Sequence, residues 1–180
     1  MAEYIAFLRG INVGGHNVKM DVLCGQFEAV GLSKVETFIA SGNVIFESRS
    51  ADTAKLEVKI EKQLALSLGY EVATFVRTRA EVAHLAEYAA FPEEKLASAG
   101  AFCVAFVKAP LTDAQTVLLQ RFATDVDEFR TRGREIFWLC NVRQSESKFS
   151  NAQFERKVGI AATFRSTTTV KKLALKYAAR

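Results

Sequence analysis

Two runs in the chain, Tyr4 to Leu8 and Phe102 to Val107, are apolar at every position. Read as strands, they have no polar face. Ile5 and Phe7 lie opposite Tyr4, Ala6 and Leu8, and Phe102, Val104 and Phe106 lie opposite Cys103, Ala105 and Val107. Helices can cover one face of each sheet. The other must meet a second subdomain, a second chain or a ligand, and an internal interface is the expectation. With 180 residues, 49% of them hydrophobic, the chain can bury a proper core without covalent staples.

The pattern around these runs supplies the topology. After Tyr4 to Leu8 comes a loop, Gly10 to Asn17, and then a helix with Met20, Leu23, Cys24, Phe27 and Val30 on its apolar face, closing at Gly31. Val35 to Ala40 and Val44 to Glu47 are β-rich runs around the turn-forming trio Ser41-Gly42-Asn43, which predicts a tight hairpin. Leu56, Ile60, Leu64 and Leu68 mark a helix over 53–68, and Glu71 to Arg77 completes a β-α-β-β-α-β order, the ferredoxin-like split unit. Thr78 and Glu81 have the spacing of a capping box that opens a further helix with Val82, Leu85, Ala86 and Ala89, ended by Phe91-Pro92.

From Ala101 the order recurs. A strand over 102–107, a helix over 112–123, strands 128–132 and 135–139 around Gly133, and a helix over 151–158 are predicted, with the sixth element weak or replaced by a C-terminal helix. The expected architecture is therefore α+β: two ferredoxin-like subdomains, 1–78 and 101–180, packed together through a helical connector at 79–100, plus the terminal helix.

Several function classes lose support at once. Cys24, Cys103 and Cys140 are far apart, each inside an apolar run where a small hydrophobe would serve, and no Cys-x-x-Cys pair exists. With only His16 and His84 as imidazoles, no metal-ligand spacing is present and no metal or other cofactor is expected. Met1 to Arg9 is too short and wrongly charged for a signal peptide, and no apolar run reaches membrane-spanning length, so a cytoplasmic monomer or homodimer is expected.

Charge is unevenly placed. The net value is +4, yet Lys148 to Arg180 holds eight Lys or Arg against the single acid Glu155. Such a tail attracts nucleic acid through counterion release. Alternatively, Val170, Leu173, Ala174 and Tyr177 form the apolar stripe of a docked helix, with Lys172, Lys176 and Arg180 on another face. An RNA-recognition sheet is disfavoured: Arg132-Gly133-Arg134-Glu135 begins like the stacking octapeptide and then places Arg-Glu where an aromatic and a small residue belong.

The loop Gly10-Ile11-Asn12-Val13-Gly14-Gly15-His16-Asn17 is the strongest candidate for a working surface. Between strand and helix it can aim backbone N–H groups at an anion. Its glycine spacing matches a nucleotide phosphate loop, but His16-Asn17 replace the required Lys and Ser/Thr, so that identity is excluded. Arg9 and Lys19 flank the loop as cations. The second strand of a β-α-β unit ends at the same sheet edge as the first, which brings Ser41, Gly42 and Asn43 close. These glycines also serve a tight crossover, and the trio also serves a capped turn.

Leu8-Arg9-Gly10-Ile11-Asn12-Val13-Gly14-Gly15, Met20 and Phe38-Ile39-Ala40-Ser41-Gly42-Asn43-Val44-Ile45-Phe46 resemble the family known as domain of unknown function 1697. The resemblance extends over nearly the whole chain, through Ser147-Lys148, Asn151, Glu155 to Gly159 and Ala162-Thr163-Phe164-Arg165 to Leu173. It implies a bacterial-type cytoplasmic protein with ferredoxin-like halves and no assigned activity. Where the family shows Thr-x-Arg-Asn-Trp-Asn-Thr, this chain has Thr163-Phe164-Arg165-Ser166-Thr167-Thr168-Thr169, losing the Asn-Trp-Asn centre. The resemblance adds Lys148 and Arg165 as second-subdomain contributors.

The leading expectation is a site for an anionic, phosphate-bearing small molecule formed by Arg9, Gly10, Asn12, Gly14, Gly15, Lys19, Ser41, Gly42 and Asn43. An enzyme acting on a phosphorylated or acyl metabolite, and non-specific nucleic-acid binding through the basic C-terminal region, stand as alternatives.

Overall fold

The computed structural model describes residues 1–39 and 42–178. Two compact units emerge, one from 1–85 with the helical residues from Lys172 onward, the other from 86–171. Each unit carries a four-stranded antiparallel sheet and helices.

In the first unit the strands are β1 (Ala2–Leu8), β2 (Ser33–Thr37), β3 (Asn43–Ser48) and β4 (Thr74–Thr78), in the order β2-β3-β1-β4. Helices α1 (Met20–Ala29) and α2 (Thr53–Leu68) make the two crossovers. Tyr4, Ala6 and Leu8 from β1 pack with Leu23 and Phe27 of α1 and with Leu56, Ile60 and Leu64 of α2. Ile5, Phe7, Ile45 and Phe75, whose side chains alternate to the other face, are buried as well.

Helix α2 has the predicted bounds because both ends are chemically marked. Asp52 accepts the Lys55 N–H at 3.0 Å, and Gly69 closes the helix at φ 79° with its N–H on the Ala65 carbonyl. The bond from the Lys55 N–H is the main influence holding the Asp52 carboxyl below its ordinary value. Its support of α2 is thus present above the unfolded value and is lost as pH falls through the lowered one.

Strand β4 lies at the sheet edge, where alternate N–H groups point away from the ladder. Three glutamates take them: Glu61 accepts from Thr74 at 2.8 Å, Glu57 from Val76 at 2.8 Å, and Glu81 from Thr78 at 2.7 Å. Glu57 and Glu61 are one turn apart on α2, which matches the two-residue step along the strand. The third bond belongs to the predicted capping box, since Thr78 Oγ1 in turn accepts the Glu81 N–H at 3.1 Å. That box opens α3 (Arg79–Glu87).

The second unit repeats the order. Strands β5 (Ala101–Phe106), β6 (Asp127–Arg132), β7 (Glu135–Cys140) and β8 (Thr163–Ser166) align as β6-β7-β5-β8, with α5 (Asp113–Gln120) and α6 (Asn151–Val158) as crossovers. Short α4 (Glu93–Ser98) precedes this unit's sheet, and α7 (Thr167–Ala178) follows β8. Cys103, Ala105 and Val107 meet Leu119, Phe129, Ile136, Trp138 and Phe154 in its core. Burial pushes the Cys103 thiol up to about 11.

The sixth element is a strand that α7 follows and does not replace. It is four residues long and pairs with β5 from Cys103 opposite Ser166 to Phe106 opposite Thr163. Its entry is held from α6: Asn151 Nδ2 donates to the Ala162 carbonyl at 2.8 Å, and Glu155 accepts the Ala162 N–H at 2.9 Å. Helix α4 is a second element that the apolar pattern does not announce; none of its residues is buried.

Gly100 shows how closely the backbone passes itself in this unit. A Cβ there would lie 2.1 Å from the Val142 carbonyl oxygen, a backbone atom that cannot swing aside. Gly100→Ala should therefore cost more than about 2 kcal/mol of stability, measured by urea unfolding. An unchanged midpoint would contradict that close approach.

Candidate functional site

The loop leaving β1 is built around a two-residue turn. Val13 accepts the His16 N–H at 3.4 Å, and between them Gly14 and Gly15 hold φ of 69° and 89°. Two consecutive positive values are the type I′ sense, which glycine adopts without strain. Gly14 and Gly15 are exposed, and a Cβ on either would touch nothing within 4 Å. Conformation, not crowding, therefore selects glycine here.

Both shoulders of the turn are tied down. Asn12 Oδ1 accepts the Val18 N–H at 2.8 Å, bridging the loop across six residues. On the other side the His16 ring stacks on Tyr70 at 3.8 Å between centroids, and Tyr70 Oη donates to the Ile11 carbonyl at 2.9 Å. Ile11 is buried beneath. Tyr70 does not stand out in the sequence as a loop partner, because 59 residues separate it from Ile11.

Gly42 and Asn43 come to the same sheet edge. Leu8 N–H donates to the Gly42 carbonyl at 2.8 Å, and Asn43 stands opposite Phe7 in the ladder. Asn43 is buried, and its Nδ2 donates to the carbonyls of Phe38 at 3.0 Å and Ile39 at 3.3 Å. That amide holds the hairpin, where Ile39 adopts φ 45°, an uncommon value for a β-branched residue. Ser41 lies outside the described residues.

Arg9 continues β1 with its N–H on the Ala73 carbonyl at 2.9 Å, and Gly10 follows at φ 64°. Lys19 is the N-cap of α1 and supplies no side-chain cap. One acid enters the same turn: Asp21 Oδ1 accepts the Val22 N–H at 2.8 Å. The edge thus offers two cations, exposed glycine amides and one carboxylate. Among the described residues no group of three His, Cys, Asp or Glu could hold a metal.

Lys148 and Arg165 belong to the second unit. Lys148 lines a cavity of about 280 Å³ with Thr124, Asp125, Asp127 and Glu146, an acidic setting. Asp127 is buried and accepts from Trp138 Nε1 at 2.8 Å, from Ser147 Oγ at 2.8 and 3.0 Å, and from Thr124 Oγ1 at 3.0 Å. Arg165 on β8 donates through Nη1 to Thr163 Oγ1 at 2.8 Å and to the Phe164 carbonyl at 2.9 Å. Burial pushes its guanidinium down to about 10, which leaves it charged at neutral pH.

Arg165 has a counterpart in the first unit. Arg77 on β4 stands opposite Ile5 as Arg165 stands opposite Val104, and its Nη1 donates to the preceding Val76 carbonyl at 3.0 Å. Arg77 is completely buried, with Glu57 Oε1 at 3.9 Å. A cue existed in Thr74-Phe75-Val76-Arg77 and Thr163-Phe164-Arg165, two edge strands with a Thr-Phe start and a nearby arginine.

Helix α7 shows a docked face: Val170 and Leu173 are buried, and Lys176 Nζ lies 3.2 Å from Glu36 Oε2 and 5.0 Å from the Phe38 ring centroid. Lys171 and Lys172 are exposed. No described helix is long and apolar enough to cross a membrane.

Among solved structures, the chain is similar to that of a conserved bacterial protein from Streptococcus pneumoniae, with a TM-score of 0.68 and 22% identity, covering 98% of each chain. That likeness concerns the fold alone. No curated protein matches the chain. The family model described as "Protein of unknown function (DUF1697)" matches residues 1–137, which takes in the loop, the hairpin, the four strands of the first sheet and β5 and β6 of the second, and the chain belongs to that family.

Proposed function

We propose that the first unit binds an anionic, phosphate-bearing small molecule on the Gly10 to Asn17 loop. The observation that carries this reading is the braced, exposed Gly14-Gly15 turn at the sheet edge, with Arg9 before it and Lys19 after it. A turn whose shoulders are fixed has its amides oriented before the ligand arrives, so less ordering entropy opposes binding. Backbone N–H groups bonded to a charged oxygen are worth about 1.5–3 kcal/mol each, more than neutral contacts. Asp21 favours ligands held on the Arg9 and glycine side of the turn over those placed on the α1 terminus.

Isothermal titration calorimetry with pyrophosphate tests it. Binding should be saturable, about tenfold weaker in Arg9→Ala, and abolished in Gly15→Val, where a β-branched residue cannot hold φ 89°. Absence of binding to the unaltered chain, or equal affinity in Arg9→Ala, would reject the proposal.

A further inference from the structure

The imidazole of His16 stands at the end of the glycine turn and is one layer of a two-ring stack. Its ring lies 3.8 Å from that of Tyr70 between centroids, with 23° between the planes. Tyr70 is itself anchored, since its Oη donates to the Ile11 carbonyl at 2.9 Å. One face of the imidazole is therefore covered by a fixed partner, while His16 as a whole is exposed. Its uncovered face is a flat, braced surface beside the Gly14 and Gly15 amides, because His16 follows Gly15 directly. At the other end of the turn Val13 keeps 67% of its surface exposed. Apolar area thus flanks the amides on both sides.

A ring held in this way receives a second ring at little entropic cost, because neither the imidazole nor the phenol beneath it has to be ordered first. Histidine is among the side chains on which unpaired bases stack, and the contact tolerates any base because every base has a π-face. The loop also limits the phosphate chain. It lacks the Lys and Ser/Thr that grip a third phosphate and its magnesium ion, which favours one or two phosphate groups.

We infer that the ligand of the glycine turn is a nucleoside mono- or diphosphate, its phosphate on the Gly14 and Gly15 amides and its base stacked on the outer face of His16. Resting on the phosphate binding proposed for this turn, the assignment adds the base and the ring that receives it. Sugar phosphates without a base are then held by the amides and cations alone.

AMP and ribose 5-phosphate share a phosphate and a sugar and differ in the base, so together they isolate the stack. Both are titrated into the full chain by calorimetry beside pyrophosphate, and His16 is followed by proton NMR. The chain has only two histidines, His16 and His84, so the ring C–H signals of His16 are readily assigned with His16→Ala. AMP should bind about tenfold more tightly than ribose 5-phosphate. The ring current of its base should move the His16 signals upfield saturably, beyond any shift that ribose 5-phosphate causes at the same pH, while those of His84 stay in place. His16→Phe, which keeps a ring on Tyr70, should retain the preference for AMP. Equal affinity for AMP and ribose 5-phosphate, AMP binding without the His16 shift, or a preference lost in His16→Phe would each overturn the assignment while leaving phosphate binding intact. Absence of pyrophosphate binding would instead reject the phosphate site itself, and the nucleotide with it.

Discussion

Glu57→Ala should lower the stability of the first unit by about 3–5 kcal/mol, read as an earlier urea transition by far-ultraviolet circular dichroism. Two groups each lose one partner in one substitution. The Val76 N–H on the edge strand loses its acceptor at 2.8 Å, and the fully buried Arg77 guanidinium loses the carboxylate at 3.9 Å. Truncating one member of a buried charged pair costs far more than the pair is worth, because the other charge stays in the low-dielectric interior. Glu57→Gln separates the contributions: it keeps an oxygen for Val76 and removes only the charge, so about half the loss is expected. Hydrogen exchange of the Val76 amide should accelerate in the alanine variant. A stability change within about 1 kcal/mol would show that the edge strand does not depend on this carboxyl group.

Asp127→Ala should cost the second unit about 3 kcal/mol or more. Asp127 gathers the Trp138 indole N–H and the Ser147 and Thr124 hydroxyls on one buried carboxyl group. The hydroxyls can turn to other acceptors, but the indole N–H has a fixed direction and is left buried without one. Trp138 emission should therefore shift to the red as the surrounding rings loosen, together with the earlier urea midpoint. Asp127→Asn retains one acceptor oxygen and should fall between the two. Unchanged emission in the alanine variant would mean that the indole is held by its ring contacts with Phe129 and Phe149 alone.

Elements were legible in the sequence where their ends carry their own chemistry. Helices α2 and α6 begin at Asp52 and Ser150, whose side chains accept N–H bonds three residues on, and end at Gly69 and Gly159 in the left-handed conformation. Strand β8 was not legible as such. Four residues give too short a window for periodicity, and what anchors its entry is Glu155 and Asn151 reaching from another element. The glycine loop was visible because glycine takes successive positive φ values at no steric cost, yet its braces were not: Tyr70 is remote in sequence, and Asn43, an available ligand donor on paper, spends its amide on the hairpin.

By itself, the sequence determined the α+β order of elements, the repetition of that order in the two halves and the position of the glycine turn. These follow from local rules of periodicity, capping and backbone permissiveness, which act within a few residues. Only the tertiary structure decided which polar groups remain free for a ligand. Burial and hydrogen-bond satisfaction depend on neighbours that are distant in sequence, as when Glu57 and Glu61 are spent on the β4 edge, Asp127 on the Trp138 indole, and Asn151 on the Ala162 carbonyl.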